Sequence, residues 1–237
     1  MAAEKNYATT YLNWTIRFLI TCGAVGPLLF ILVFLIEGAT RPGYSAWHNY
    51  VSSLGTSHQG WMQIANFLVC GLLVLCFAVG LRQVLHSGKG SVWGPLLIGI
   101  FGLALIVAGI FVTDGSLGYP PGSTNRGGPQ TIHGTIHGVA GLIAFSTLAI
   151  ACFVMSRRFA GDPNWKGWAL YSFIAGLLVA VFFVASTAVS ALDEGSILPG
   201  SPTGLLQRIA IIAGWGWISL LAISLLRRYR TAAMSPA

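Results

Sequence analysis

Charge is the scarcest feature of this sequence. Lysine, arginine, aspartate and glutamate make up 8% of 237 residues, and only 6 of them are acidic. A soluble domain carries about 25% charged residues. With 55% of the chain hydrophobic, too little polar surface exists to cover a water-soluble fold of this size. Cysteine is also sparse. Cys22, Cys70, Cys76 and Cys152 each lie inside an apolar run, so they read as small buried side chains, not as disulfides or metal ligands. The sequence has no zinc-finger spacing, no aromatic RNA-binding motif and no Gly-x-Ser-x-Gly nucleophile elbow. Nor does the N-terminus read as a cleavable signal: about a dozen polar residues precede an apolar run longer than an h-region, with no small-residue cleavage site behind it.

What the chain does have is long apolar runs. A spanning helix needs about 20 predominantly apolar residues, and six segments qualify, near 15–37, 61–85, 93–113, 132–155, 167–192 and 204–226. The runs are continuous, not alternating, which excludes membrane strands. The predicted fold is all-α, a six-transmembrane-helix bundle forming a single integral membrane domain over 1–237. The net charge of +7 points to topology and not to nucleic acid. Lys5, Arg17, Arg82, Lys89, Arg157, Arg158, Lys166, Arg227, Arg228 and Arg230 fall on one side; Arg41, Arg126 and Arg208 fall on the other. By the positive-inside rule both termini are predicted to be cytoplasmic, in the cell (plasma) membrane. Trp61, Trp93, Trp165 and Trp168 stand near span ends as interfacial anchors.

Three markers recur with nearly one period. Glu37-Gly38, Asp114-Gly115 and Glu194-Gly195 close the odd spans, each followed by Pro-Gly. Gln63, His137 and Gln207 open the even spans, and Arg82, Arg157 and Arg227 end them. The reading is three repeated helical hairpins. The competing account is that every outer turn needs Gly and Pro, and that acids are cheap at an interface.

Ionisable groups inside spans are costly and face cavities or partners. Here they gather at the outer ends: Glu37, Arg41, His48, His58, Asp114, Arg126, His133, His137, Asp193, Glu194 and Arg208. Any site is therefore expected to open outward, with Glu37, Arg41, His48, Gln63, Asp114, His137, Gln207 and Arg208 as candidate ligand-binding residues. Arg208 lies about a turn into its helix. It is expected to pair with Glu37, Asp114 or Glu194, or else to hold the phosphate or carboxylate of an amphiphile through its guanidinium fork. His133 and His137, four apart, share a helix face. With Asp114 they are the candidate catalytic groups, and they are the weak candidates for a divalent metal such as Zn. A zinc-peptidase motif would, however, place Glu where Gly134 stands. A haem would need two well-buried axial histidines on different helices, which the inner half does not offer. Ser52 and Ser53 lack a partnered base. Their segment is expected to form a short interfacial helix, with Trp47 and Tyr50 at the lipid boundary.

The chain resembles the multi-pass membrane family catalogued as domain of unknown function 998. The resemblance rests on Gly26-Pro27, Glu37-Gly38, Arg41-Pro42-Gly43-Tyr44, Val51-Ser52-Ser53-Leu54, Gly60-Trp61 with Gln63, Asn66-Phe67, Gly80-Leu81-Arg82, Gly94-Pro95, Asp114 and His133 through His137. It covers nearly the whole chain. It implies a bacterial cell-membrane protein of about six spans and supplies no activity. Three functions stay open from the sequence. One is binding of a lipid or small amphiphile in an outward polar pocket, with membrane lipid as the expected partner. Another is a hydrolase-like membrane enzyme using His133, His137 and an outer acid, with or without metal. The third is a transporter, which the uncharged inner half disfavours. The oligomeric state is left open.

Overall fold

The computed structural model describes residues 14–123 and 131–232; Lys5 and Arg126 lie outside them. Six long helices carry the predicted spans: α1 (Trp14–Thr40), α2 (Trp61–Val84), α3 (Trp93–Ile110), α4 (Ile132–Ala160), α5 (Trp168–Glu194) and α6 (Thr203–Ala232). All six are long and apolar enough to cross a membrane. Two differences from the sequence reading stand out. The third helix stops at Ile110, because Thr113 through Gly115 turn back toward α4. The fourth and sixth run on through their basic ends, where Arg157, Arg158, Arg227 and Arg228 extend the helix beyond the apolar stretch.

Each helix packs on its sequence neighbours, and α6 returns to α1, so the bundle is a closed up-and-down ring. α1 begins and α6 ends at the same end, called here the basic end. The opposite end carries the long connections and is called the loop end. Small residues set how closely the helices approach. A Cβ on Gly71 of α2 would stand 2.7 Å from the carbonyl oxygen of Gly102, and one on Gly102 would stand 2.9 Å from that of Gly71. On α5, a Cβ at Gly176 would meet Cys152 Cβ at 3.0 Å and the Ala149 carbonyl at 3.1 Å. Most of these neighbours are backbone atoms, which a side chain would force apart.

The centre of the ring is aromatic. Trp215 of α6 is fully buried against Phe101 at 4.6 Å, Phe30 at 5.6 Å and Phe145 at 5.8 Å between ring centroids. Toward the basic end the interior is filled by Trp217, Leu221, Met155 and Leu81, all buried. Trp217 donates to Ser172 Oγ at 2.9 Å, which satisfies an indole N–H that apolar packing would otherwise leave unpaired. At the basic surface Arg228 lies over the Trp165 ring, 3.9 Å from its centroid, and Arg158 donates to the Ser87 and Lys89 carbonyls. The cations there thus hold the short loops as well as marking that end.

The short helix expected around Ser52 and Ser53 forms, more deeply buried than an interfacial helix. Val51–Thr56 is a short 3-10 helix, but Val51, Ser53 and Leu54 are buried within the loop end of the ring. Val51, Ser53 and Leu54 are drawn into the bundle, while Trp47 stays exposed and Tyr50 half-buried.

Candidate functional site

The loop-end polar residues divide into two groups. The first lies on α1, α2, α6 and the 41–60 loop. Glu37 and Arg41, one helical turn apart, form a buried ion pair, and Arg41 also donates to Ser57 Oγ. Among the described residues Arg208 forms no ion pair with a carboxylate, contrary to the pairing expected from sequence. Its Nη1 donates to the carbonyls of Ala46 at 2.7 Å, Gly204 at 2.8 Å and Asn49 at 3.1 Å, and its Nη2 donates to the Tyr44 hydroxyl. The five fixed N–H groups of a guanidinium suit such a cluster, in which the carbonyls of Ala46 and Asn49 lie in the 41–60 loop and that of Gly204 in the first turn of α6. Burial pushes the Tyr44 phenol up, and Arg208 partly offsets this.

Neighbouring bonds complete this group. Gln63 is fully buried and accepts from Asn66, which also donates to the Phe30 carbonyl. Asn49 donates to the Leu117 carbonyl at 2.9 Å. The His48 ring contacts the Ser201 carbonyl at 3.0 Å and Asp193 at 3.5 Å. Arg41, His48 and Arg208 therefore tie loop segments to the helices or to one another, Gln63 bonds within α2, and none of Glu37, Arg41, His48, Gln63 and Arg208 lines the main cavity.

The second group borders that cavity, a space of about 1100 Å³ enclosed by α3, α4, α5 and α6 with Tyr50, Val51 and Ser52 above it. Asp114, His137 and Gln207 all line it. Asp114 is placed by the N-terminus of α4: its carboxylate accepts from the Thr131 backbone N–H at 3.0 Å and from Thr131 Oγ1 at 2.7 Å. Thr131 Oγ1 in turn caps the helix by accepting from Gly134 N–H at 3.0 Å. A Cβ at 134 would stand 2.0 Å from Asp114 Oδ2, so any larger residue there would displace the carboxylate from Thr131.

His137 reaches across to the end of α3, where Nδ1 lies 2.9 Å from the Phe111 carbonyl and 3.0 Å from that of Ala108. Carbonyls only accept, so Nδ1 carries the hydrogen and Nε2 is left with the lone pair. Gln207 accepts from the Val51 N–H at 2.7 Å through Oε1, which turns its amide nitrogen into the free, donating end. Tyr50 also lines the cavity. Burial, only partly offset by a hydrogen bond with Ser190, pushes its phenol up to about 12.

The cavity exists because its walls are small where they face each other. α4 contributes Gly134, Gly138 and Gly141, and α5 contributes Ala188, Ser190 and Ala191. An added Cβ at Gly138 or Gly141 would meet nothing within 4 Å. Nearer mid-bundle the two helices are bridged by Phe145 and Phe183, stacked at 4.4 Å, and beyond them by the close approach at Gly176. Above that stack the two helices part: Gly138, Leu142, Val184, Thr187 and Ala188 line the cavity and are exposed. Sequence reading missed this gap. The signal was present in the Gly134, Gly138, Gly141 row, whose spacing of four and three places all of them on one helix face.

His133, the other catalytic and metal candidate, is exposed with its ring 5.2 Å from Phe111, and it does not line the cavity. Among the described residues no three His, Cys, Asp or Glu side chains gather closely enough to hold a metal. Ser52 lines the cavity, whereas Ser53 is buried beside it.

Residues 24–224 match the family described as Protein of unknown function (DUF998). The chain belongs to this family. No curated protein and no solved structure matches the DUF998 chain, so the chemistry of the cavity itself must carry any functional reading.

Proposed function

We propose that this DUF998 protein binds a membrane lipid or similar small amphiphile in the α3–α6 cavity, with the loop end facing away from the cytoplasm and both termini inside. The observation that carries the reading is the shape and polarity of that one space. Its floor is Phe30, Phe67, Leu105, Phe145, Phe183 and Trp215; its loop-end rim is Asp114, His137, Gln207, Tyr50 and Ser52. An apolar volume with a few convergent polar groups is the form of a small-molecule site, and about 1100 Å³ suits a ligand at the large end of that class. The side opening between α4 and α5 lies where lipid would surround the ring, so an amphiphile could slide in from the bilayer with its chain leading. Below Trp215 the interior is closed by packed side chains, which favours binding over passage through the bundle. The excess of Lys and Arg at the basic end supports the orientation.

Gentle purification followed by mass spectrometry of tightly held lipid tests this. The wild-type chain is expected to retain lipid through delipidation. Gly141→Leu, whose side chain would grow into open space, is expected to melt like wild type and to lose most of that lipid. Wild-type protein that emerges empty, or a Gly141→Leu variant that carries as much lipid as wild type, would sink the reading.

A further inference from the structure

A lipid tail gains little on leaving the bilayer for an apolar cavity, because both surroundings are hydrocarbon. Selection among amphiphiles must then come from the polar end of the space. There the hydrogen-bonding sense of two side chains is fixed by the bonds they already make. His137 spends its one N–H on the Ala108 and Phe111 carbonyls, the unsatisfied end of α3, and so offers the cavity only an acceptor, Nε2. Gln207 turns its carbonyl oxygen to the Val51 N–H, which fixes the amide and leaves the two hydrogens of its nitrogen as donors on the other side. Both side chains line the same space.

We infer that the cavity selects single-chain amphiphiles with an un-ionised, hydroxyl-bearing headgroup of the glycerol type over those ending in a carboxylate or phosphate. A glycerol ester can donate a hydroxyl hydrogen to His137 Nε2 and accept at a hydroxyl or ester oxygen from Gln207. A carboxylate or phosphate can satisfy Gln207 but only accepts, and it would set an anionic oxygen against the His137 lone pair. To hold an anion there the ring would have to take a second proton within an enclosed, largely apolar site, at a desolvation cost. This rests on the lipid-binding reading above and gives it a ligand class.

The experiment uses the full chain in phosphatidylcholine nanodiscs, with Trp215 on the cavity floor as the reporter. Two probes carry the same dibrominated acyl chain, one as a monoacylglycerol and one as the free fatty acid at neutral pH. Quenching assigned to Trp215 is the part lost in Trp215→Phe. The monoacylglycerol is expected to quench at about tenfold lower mole fraction than the acid, the effect of one hydrogen bond left unmade.

Gln207→Glu keeps an oxygen for Val51 and removes the donor. His137→Asn keeps an N–H for the α3 carbonyls and removes the Nε2 acceptor. Each is expected to raise the monoacylglycerol requirement about tenfold. An acid that quenches as well as the glycerol ester, or variants that leave glycerol-ester quenching unchanged, would overturn the headgroup inference while the cavity reading stood. If neither probe quenched Trp215, the cavity reading itself would fall. The comparison of probes on the wild-type chain needs no variant to fold.

Discussion

On the α1–α2–α6 side of the loop-end rim, Glu37, Arg41, Tyr44 and Arg208 are bonded to one another or to loop carbonyls, Asn66 is bonded to Gln63 and the Phe30 carbonyl of α1, and the space between them is filled. On the α3–α4–α5 side, Asp114 and His137 make equally definite bonds, yet they border about 1100 Å³ of open volume. Both sides set polar side chains at the loop end of the bundle. What differs is the neighbouring bulk. Phe34, Tyr44 and Tyr119 fill the first side, with the two tyrosine rings at 5.2 Å. Gly138, Gly141, Ala188 and Ala191 leave the second side hollow. Polar side chains at a helix end do not by themselves make a recess; a facing row of residues without bulk does.

The largest effect should come from breaking the filled side. Arg208→Ala would strip donors from three carbonyls and from Tyr44, at a cost of about 3 kcal/mol or more in stability. Arg208→Lys should recover little of this, since a single ammonium cannot match the fork. Thermal unfolding in detergent would measure both. A near-neutral result for Arg208→Ala would erase the distinction between the two sides and restore Arg208 as a candidate for ligand rather than loop.

A smaller contrast lies within one helix pair. Gly176→Ala on α5 would press a methyl against Ala149 and Cys152 of α4, an overpacking that costs about 1–3 kcal/mol. Gly138→Ala on α4 places its methyl in open space and removes a flexible glycine from a helix, so it should be neutral or stabilise by about 0.5–1 kcal/mol. Opposite signs from the same chemical change would confirm that the α4–α5 crossing is tight at one end and parted at the other. Equal effects would mean that the helices separate uniformly.

These particulars show what the sequence could and could not disclose. Hydropathy places six helices, and their ends are displaced most where α4 and α6 run on through their cations, and by three residues where α1 runs on to Thr40 and α3 stops at Ile110. The clustering of polar groups at one end was also legible. Their partners were not, because Arg208 is satisfied by carbonyls of Ala46, Asn49 and Gly204, and a backbone carbonyl has no letter in the sequence. The division of Asp114, His137 and Gln207 from Glu37, Arg41, His48 and Gln63 depends on which helices become neighbours in the ring. Side-chain type says nothing of that.

The smallest test concerns Tyr50, which lines the hollow side from the loop above it. Its hydroxyl lies 3.5 Å from the Ser186 carbonyl. Burial, reinforced by Glu194 and opposed by a hydrogen bond with Ser190, raises its pKa from 10.0 to about 12. The folded state therefore holds the proton more tightly than the unfolded chain does. The stability tied to this phenol is whole below pH 10 and is lost as pH climbs toward about 12. At pH 7 its titration should contribute nothing to the difference between wild type and Tyr50→Phe. Between pH 10 and 12 the wild type should lose stability faster than the variant, and subtracting the two melting curves removes the other tyrosines and lysines that titrate there. Parallel curves across that window would mean that water reaches the Tyr50 hydroxyl freely, and the rim of the cavity would then be wetter and more open than its neighbours imply.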